Sequence, residues 1–125
     1  MLKRLDNIGI AVADAAASVE FYVTKLGFEG AAEGGEGSVQ LGDISLYIFE
    51  SKSASRDVGR TTDYYSNPIG LDHLAFEVDD LDAACKELEG RGLVFEGDIV
   101  GEPGTFRYRG FNDPDGNMVY VIQKG

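Results

Sequence analysis

The stretch LDNIGIAVAD, residues 5–14, recurs further along the chain as LDHLAFEVDD, residues 71–80, with four of the ten positions identical. In both copies apolar residues alternate with small or polar ones, a pattern typical of a β-strand that buries one face. The predicted buried face carries Ile8, Ile10 and Val12 in the first copy, and Leu74, Phe76 and Val78 in the second. A repeated segment of this kind indicates two copies of one folding unit within a chain of 125 residues.

Each predicted strand leads into a helix through an aspartate, Asp14 or Asp80, whose short carboxylate can accept hydrogen bonds from the free amides of the first turn. The apolar stripe of the second helix includes the single cysteine, Cys85, which we interpret as a buried core residue. Gly27 and Gly92 end the two helices, because glycine adopts the left-handed conformation that closes a helix. Three strands are predicted after each helix, at residues 28–33, 37–41 and 44–49, and at residues 94–100, 105–112 and 117–123.

This order predicts an α+β fold in which residues 1–125 form one domain of two tandem βαβββ modules. Module one spans residues 1–50 and module two spans residues 71–125. The linker between them, residues 51–70, is polar and mostly structureless by its pattern, and it is long enough to lie over whatever the modules enclose.

The charge of the chain narrows the classes of partner. Asp and Glu number 22 against 11 Lys and Arg, for a formal net charge of −11 at pH 7. A nucleic-acid surface needs clustered basic residues, so we expect no nucleic-acid partner. No apolar run reaches the ~18–20 residues of a membrane helix, and Asp6 and Asn7 interrupt the one stretch that resembles an export signal. With its unpaired Cys85, the chain is expected to be cytoplasmic, with no membrane partner.

Three further segments complete a recognisable pattern: residues 18–22 (SVEFY) with LGF at 26–28, the repeat at 71–81, and FNDPDGN at 111–117. Together with residues 5–14, these segments make the chain resemble the vicinal oxygen chelate superfamily, also called the glyoxalase, bleomycin-resistance and dioxygenase superfamily. The resemblance implies curled mixed sheets that form a cup with helices outside and a ligand cavity inside. It also implies a homodimer. Some members catalyse isomerisation, epimerisation, ring cleavage or thiol addition at a divalent metal, and others only bind and sequester an antibiotic.

The resemblance places the metal-binding positions at Asn7, Tyr47, His73 and Tyr120. Of these, His73 is a good ligand for a divalent ion, whereas an asparagine oxygen is weak and a neutral phenol must lose its proton to bind well. Glu50 follows Tyr47 by three residues, so strand alternation sends it to the opposite face unless a bulge intervenes. A metal cofactor is therefore disfavoured; if one is bound, His73 and Glu50 are the expected ligands.

Aromatic and polar residues at the inward positions indicate a different kind of pocket, one suited to a planar or partly polar molecule. The candidate ligand-binding residues are Asn7, Tyr47, Phe49, His73, Glu77, Arg107, Arg109 and Tyr120. Arg107 and Arg109 share one face of their strand and Tyr108 lies on the other, but the sequence does not say which face is inside. The two candidate tyrosines could also be core filler that closes the cavity.

The sequence thus favours a small-molecule binding protein with a degenerate metal site and a planar or cationic ligand, as in the antibiotic-resistance members that it resembles. Two alternatives stay open: a metal-dependent lyase, isomerase or extradiol dioxygenase with His73 as a ligand, and a scaffold protein whose cavity is closed. No catalytic residue is assigned, and whether the protein is an enzyme is left open.

Overall fold

A computed structural model describes residues 1–53 and 59–125. These residues fall into two compact units, one on each side of that gap. Each unit is built on a four-stranded mixed sheet with one α-helix, so the predicted α+β fold of two βαβββ modules is confirmed.

The first unit runs β1 (Ile8–Val12), α1 (Ala15–Thr24), β2 (Glu29–Glu33), β3 (Glu36–Leu41) and β4 (Ile44–Glu50). Its strands are ordered β1-β4-β3-β2, with β1 parallel to β4 and the other pairs antiparallel. The helix packs against β2, β3 and β4. The observed strands differ from the predicted ones by a residue at a few ends, as expected where strand ends are set by pairing.

The second unit repeats this plan with β5 (His73–Glu77), α2 (Leu81–Gly90), β6 (Phe95–Val100), β7 (Arg107–Asn112) and β8 (Met118–Gln123). The strand order is β5-β8-β7-β6, again with one parallel pair, β5 with β8. Because the two sheets have the same topology, positions in one unit can be matched to positions in the other through their registers.

Both helices begin as the sequence predicts. The Asp14 carboxylate accepts a hydrogen bond from the Ala17 amide at 3.1 Å, and Asp80 accepts one from the Ala83 amide at 3.1 Å. These contacts satisfy amides that have no partner within the helix.

The core of each unit lies on one sheet face. In the first unit it includes Tyr22, Leu46 and Ile48, none of which is exposed, and in the second it includes Leu81 and Phe111, equally buried. Cys85 is 3% exposed, which confirms its predicted place on the buried stripe of α2, and burial raises the pKa of its thiol. A thiol in this state is a core residue and a poor nucleophile.

The linker has more structure than its polar sequence indicates. Residues 54–58 lie outside the described part of the chain, but beyond them Tyr64–Ser66 form a 3₁₀ turn. Within the described residues, no helix combines the length and apolar character needed to cross a bilayer.

Candidate functional site

The registers of the second sheet gather the site residues on one face. Across the β5–β8 pair, Ala75 lies opposite Tyr120, and across the β7–β8 pair, Gly110 lies opposite the same tyrosine. Two residues further along β8, Ile122 lies opposite Tyr108 of β7. Paired residues on neighbouring strands share a face, so this side of the sheet presents aromatic side chains around Tyr120.

These side chains enclose a cavity of about 220 Å³, which we call the aromatic cavity. Its aromatic lining is Tyr64, His73, Phe106, Tyr108 and Tyr120, and Ala75 and Ile122 complete the wall. Tyr120 is the centre of this group: its ring centroid lies 4.7 Å from that of His73, 5.5 Å from that of Tyr108 and 6.3 Å from that of Tyr64, each pair edge to face. Such offset pairs are attractive beyond their buried area, so the wall is preformed.

Gly110 makes room for the Tyr120 ring. A Cβ atom at this position would lie 2.5 Å from Met118 Cε and 2.8 Å from Tyr120 Cε1. The methionine end can move, but the tyrosine ring is held by its aromatic neighbours. The glycine therefore fixes the close approach of the ring to strand β7.

The Tyr120 hydroxyl is buried and has no hydrogen-bond partner within residues 1–53 and 59–125. The residue is 3% exposed. Burial raises the pKa of this phenol, and the negative charge of Asp72 adds to the effect. A buried polar group without a partner is costly, so its position in the wall of a cavity points to a ligand or water that completes its hydrogen bonding.

A chain of hydrogen bonds links the 51–70 segment to the cavity. The Asn67 amide donates to Asp72 Oδ1 at 2.7 Å, and Asp72 Oδ2 lies 2.7 Å from His73 Nδ1. The contact with His73 is the main reason that the pKa of Asp72 is lowered, and the Asn67 hydrogen bond adds to it. Because Asp72 engages Nδ1, the other ring nitrogen of His73, Nε2, is the one left to meet a ligand.

Arg107 and Arg109 lie on the helix face of the second sheet, opposite the aromatic cavity. Arg107 donates to Asp82 of α2 at 3.1 Å, which lowers the pKa of that carboxyl, and Arg109 Nη1 lies 3.9 Å from Glu89 of the same helix. Neither arginine is among the side chains that line the aromatic cavity, and their role in ligand binding stays a prediction. Strand alternation that puts Tyr108 in the cavity necessarily puts both arginines on the other side.

Glu77 shares the face of His73, as predicted, but it is not part of the cavity wall. Its carboxylate lies 3.7 Å from Lys124 Nζ, and both side chains are more than half exposed. Glu50 faces the helix of its own unit, where Oε2 accepts a hydrogen bond from the Ala15 amide at 2.9 Å. Glu50, the carboxylate expected to join His73 as a metal ligand, thus accepts a hydrogen bond at the start of α1. It lies on the sheet face opposite Tyr47.

The candidates of the first unit have partners of their own. Tyr47 donates to Glu36 Oε2 at 2.9 Å, an interaction that raises the pKa of the phenol, and its ring stacks on Phe49 at 5.4 Å between centroids. The Asn7 amide donates to the neighbouring Asp6 carboxylate at 2.8 Å.

Known proteins share this architecture. Residues 4–121 match the family model described as the Glyoxalase/Bleomycin resistance protein/Dioxygenase superfamily. Protein YwkD of Bacillus subtilis is 38% identical over 122 residues, covering 92% of each chain.

The chain belongs to the glyoxalase/bleomycin resistance/dioxygenase superfamily.

Two solved structures of similar proteins extend the comparison. The glyoxalase family protein from Enterococcus faecalis is 28% identical with a TM-score of 0.74, covering 96% of this chain and 97% of that one. TnmS3, an antibiotic binding protein from Streptomyces sp. CB03234, is 25% identical with a TM-score of 0.71, covering 99% of this chain and 98% of that one.

The four positions that the resemblance assigns to metal ligands carry weak donors for a divalent ion, apart from His73. Tyr47 and Tyr120 both have raised pKa values, so neither readily becomes a phenolate ligand. Asn7 supplies a weak amide oxygen, and no carboxylate completes the set. In the described part of the chain, no three His, Cys, Asp or Glu side chains gather closely enough to hold a metal ion.

The sequence did not identify Tyr64, Asp72 or Phe106 as site residues. Tyr64 and Tyr65 form an aromatic pair in an otherwise polar segment, which is the signal that could have identified the first of them. Asp72 has a counterpart in Asp6 within the repeat, so it looked like part of the fold pattern rather than of the site.

Proposed function

We propose that this protein binds a planar or cationic small molecule in the aromatic cavity, without a metal ion. The observation that carries the proposal is the ring of five aromatic side chains around a cavity of about 220 Å³, with the unpartnered hydroxyl of Tyr120 in its wall. Small-molecule sites are typically apolar concavities with a few convergent polar groups.

The size of the cavity favours a compact ring system, because the pockets that hold drug-sized ligands measure roughly 300–1,000 Å³. The orientation of the rings supports a planar guest, which can lie against one aromatic face while meeting the edges of others.

A positive charge on the ligand is supported by two features. Tyrosine faces attract cations within roughly 6 Å of the ring centroid. The chain as a whole carries a net charge of −11, which favours the approach of a cation. The description of TnmS3 as an antibiotic binding protein supports a binding role of this kind for a chain with the same fold.

The test uses a matched pair of probes, N-methylquinolinium and the neutral quinoline, measured by isothermal titration calorimetry near neutral pH. We expect the cation to bind more tightly, and we expect Tyr108→Ala to weaken it at least about tenfold, since a stacked aromatic contact and its buried area are lost. Val94→Ala is the control, because Val94 is 79% exposed and is not among the side chains of the wall. No binding of either probe, or equal losses in the two variants, would refute the proposal.

A second candidate function is a metal-dependent enzyme, and the Asp72–His73 contact favours it. Metal-binding histidines usually donate their second ring nitrogen to a carboxylate, as His73 Nδ1 does at 2.7 Å from Asp72. Metal content by mass spectrometry, on protein purified without chelators and on His73→Ala, decides between the two. A near-stoichiometric ion that disappears in the variant supports this second function, and no ion in either protein contradicts it.

A homodimer in the cytoplasm completes the proposal. Large apolar side chains are exposed on the single chain, among them Leu5 at 66%, Ile69 at 106% and Leu71 at 90%. A contiguous exposed apolar patch is typical of a surface that a partner covers, and Ile69 and Leu71, only two positions apart, support one here. Light scattering after size-exclusion chromatography tests the dimer, and a monomer at all concentrations would contradict it.

A further inference from the structure

Residues 61–67 form a short loop that brings Tyr64 to the aromatic cavity, and we call this loop the strap. Within the strap, Tyr64 and Asn67 are half-buried and the other five residues are exposed. The centroid of the Tyr64 ring lies 6.2 Å from that of His73 and 6.3 Å from that of Tyr120. The strap therefore contributes to the cavity wall through this aromatic side chain.

The side chain of Asn67 closes the base of the strap. Its Oδ1 accepts hydrogen bonds from the Thr61 backbone amide at 3.1 Å and from the Thr61 hydroxyl at 3.2 Å. Its Nδ2 donates to the Thr61 carbonyl at 3.1 Å. These three contacts join the first and last residues of the strap, so they fix the loop that carries Tyr64.

The same amide also holds the carboxylate beside His73. Asn67 Nδ2 donates to Asp72 Oδ1 at 2.7 Å, and Asp72 Oδ2 lies 2.7 Å from His73 Nδ1. An ionised carboxylate only accepts hydrogen bonds, so the proton in the second contact belongs to Nδ1. Arg60 is farther from the carboxylate, with Nε 3.8 Å from Asp72 Oδ1. Asn67 is thus the close partner that orients Asp72 toward the imidazole.

The hydrogen-bonding capacity of the Asn67 side chain is fully used. A side-chain amide offers two N–H donors and an oxygen with two lone pairs, and the four contacts with Thr61 and Asp72 use all of them. Among the residues that the structure describes, the contact with Asp72 is also the one hydrogen bond that ties the strap to the rest of its unit. Two walls of the cavity therefore depend on one amide.

We propose that Asn67 is a positioning residue of the aromatic cavity, whose single amide holds both the strap that carries Tyr64 and the carboxylate that orients His73. Asn67 is not among the side chains that line the cavity, so it acts through these neighbours. The inference deepens the proposed function and rests on it, because the two side chains that Asn67 positions belong to the wall that a ligand meets. Loss of the amide loosens both together.

The first test observes His73 directly and needs no ligand. His73 is the single histidine of the chain, so nitrogen-15 NMR of the labelled protein at pH 8 reports its two ring tautomers without overlap. We expect the wild type to favour the proton on Nδ1. Asn67→Ala should reduce the ratio of the Nδ1–H to the Nε2–H tautomer about threefold, because Asp72 loses the hydrogen bond that orients it. Asn67→Asp should reduce the ratio at least as much, since it places a carboxylate oxygen against Asp72.

Ser66→Ala is the matched control. The Ser66 hydroxyl donates to the Asp63 carboxylate at 2.8 Å, so this variant also loses a side-chain hydrogen bond of the strap, but one that does not involve Asp72. We expect its tautomer ratio to equal that of the wild type. The melting temperature of each variant shows that it is folded under the conditions of the NMR measurement.

The second test measures the binding of N-methylquinolinium by isothermal titration calorimetry. We expect its dissociation constant to rise about tenfold in Asn67→Ala, because the ligand must then order both walls when it binds. Asn67→Asp keeps the oxygen that accepts from Thr61, so its dissociation constant should rise only about threefold. Ser66→Ala should stay within about twofold of the wild type.

The outcomes separate the two proposals. A tautomer ratio in Asn67→Ala equal to that of the wild type, or an equal change in Ser66→Ala, overturns the inference even if the melting temperature falls, because Asn67 is then only a structural residue of the loop. A changed ratio with an unchanged dissociation constant also overturns it, because the position of His73 would not matter to the ligand. If the wild type does not bind the probe, the proposed function fails, and the tautomer ratio still decides whether Asn67 orients His73.

Discussion

Replacing Tyr120 by phenylalanine removes one oxygen atom, and two opposite effects are expected from that single change. In the ligand-free protein the hydroxyl is buried without a partner in the described chain. Its removal should therefore relieve a desolvation cost and stabilise the fold. In the complex, the same oxygen is expected to bond the ligand, so its removal should weaken binding.

The size of each effect follows from ordinary hydrogen-bond energetics. An unsatisfied buried polar group costs about 1–3 kcal/mol, whereas a satisfied hydrogen bond contributes about 0.5–1.5 kcal/mol. Taking the lower end for stability, we expect the melting temperature of Tyr120→Phe to rise by about 3–5 °C for a domain of this size. The dissociation constant of quinoline, whose ring nitrogen can accept a hydrogen bond from the phenol, should rise about twofold to tenfold.

The control is the same substitution at the equivalent position of the first unit. The Tyr47 hydroxyl donates to Glu36 at 2.9 Å, so Tyr47→Phe removes a hydrogen bond that is made and should lower the melting temperature slightly. Differential scanning calorimetry of both variants, without and with the probe, measures the four values. A Tyr120→Phe variant that melts lower than the wild type would show that the hydroxyl already has a partner, and the argument from its burial would be refuted.

Three other substitutions test the site and its frame. Gly110→Ala should lower the free energy of unfolding in urea by about 1–3 kcal/mol and weaken probe binding, because the added methyl displaces the Tyr120 ring. A variant with unchanged stability and unchanged affinity would contradict the close approach of the ring to residue 110. Glu50→Gln should lower the free energy of unfolding by about 0.3–1 kcal/mol, because the negative charge at the start of α1 is lost. Metal content should stay unchanged, and loss of a bound ion in this variant would show that Glu50 is a metal ligand. Asp82→Asn should lower the free energy of unfolding near neutral pH, because the Arg107 hydrogen bond holds the pKa of Asp82 below its ordinary value. The deficit should vanish as acid titration removes the same contribution from the wild type, and a deficit that persists at low pH would contradict this linkage.

The sequence was sufficient for the fold because its signals are local. Alternation in residues 5–14 and 71–80 specified the first strand of each unit, and Asp14 and Asp80 specified the helix starts. Periodicity and capping depend on neighbours within one turn or one strand, so they can be read without knowing the tertiary structure.

The site was harder to predict because its decisive contacts are long-range. Alternation showed that Arg107 and Tyr108 lie on opposite faces, but only Asp82, 25 positions earlier, shows which face meets the helix. Glu50 likewise could be interpreted as a metal ligand until its contact with Ala15, 35 positions away, placed it on the helix side. Tyr64 belongs to a segment without periodicity, and its position against the cavity depends on tertiary contacts.

The two units differ in the partners of their equivalent phenols: the Tyr47 hydroxyl donates to Glu36, whereas the Tyr120 hydroxyl has no partner among the described residues. Tyr47 and Tyr120 are equivalent, and so are Phe49 and Ile122, two positions further along their strands.

Phe49 pairs with Glu36 and Ile122 pairs with Tyr108, so Glu36 and Tyr108 are equivalent in turn. In the first unit this position holds a carboxylate that accepts the Tyr47 hydroxyl. In the second unit it holds an aromatic ring 5.5 Å from that of Tyr120, which builds the cavity wall and offers no acceptor at the same place. One residue difference at a repeated position therefore accounts both for one ring of the aromatic wall, that of Tyr108, and for the absence of the carboxylate that accepts the equivalent hydroxyl in the first unit.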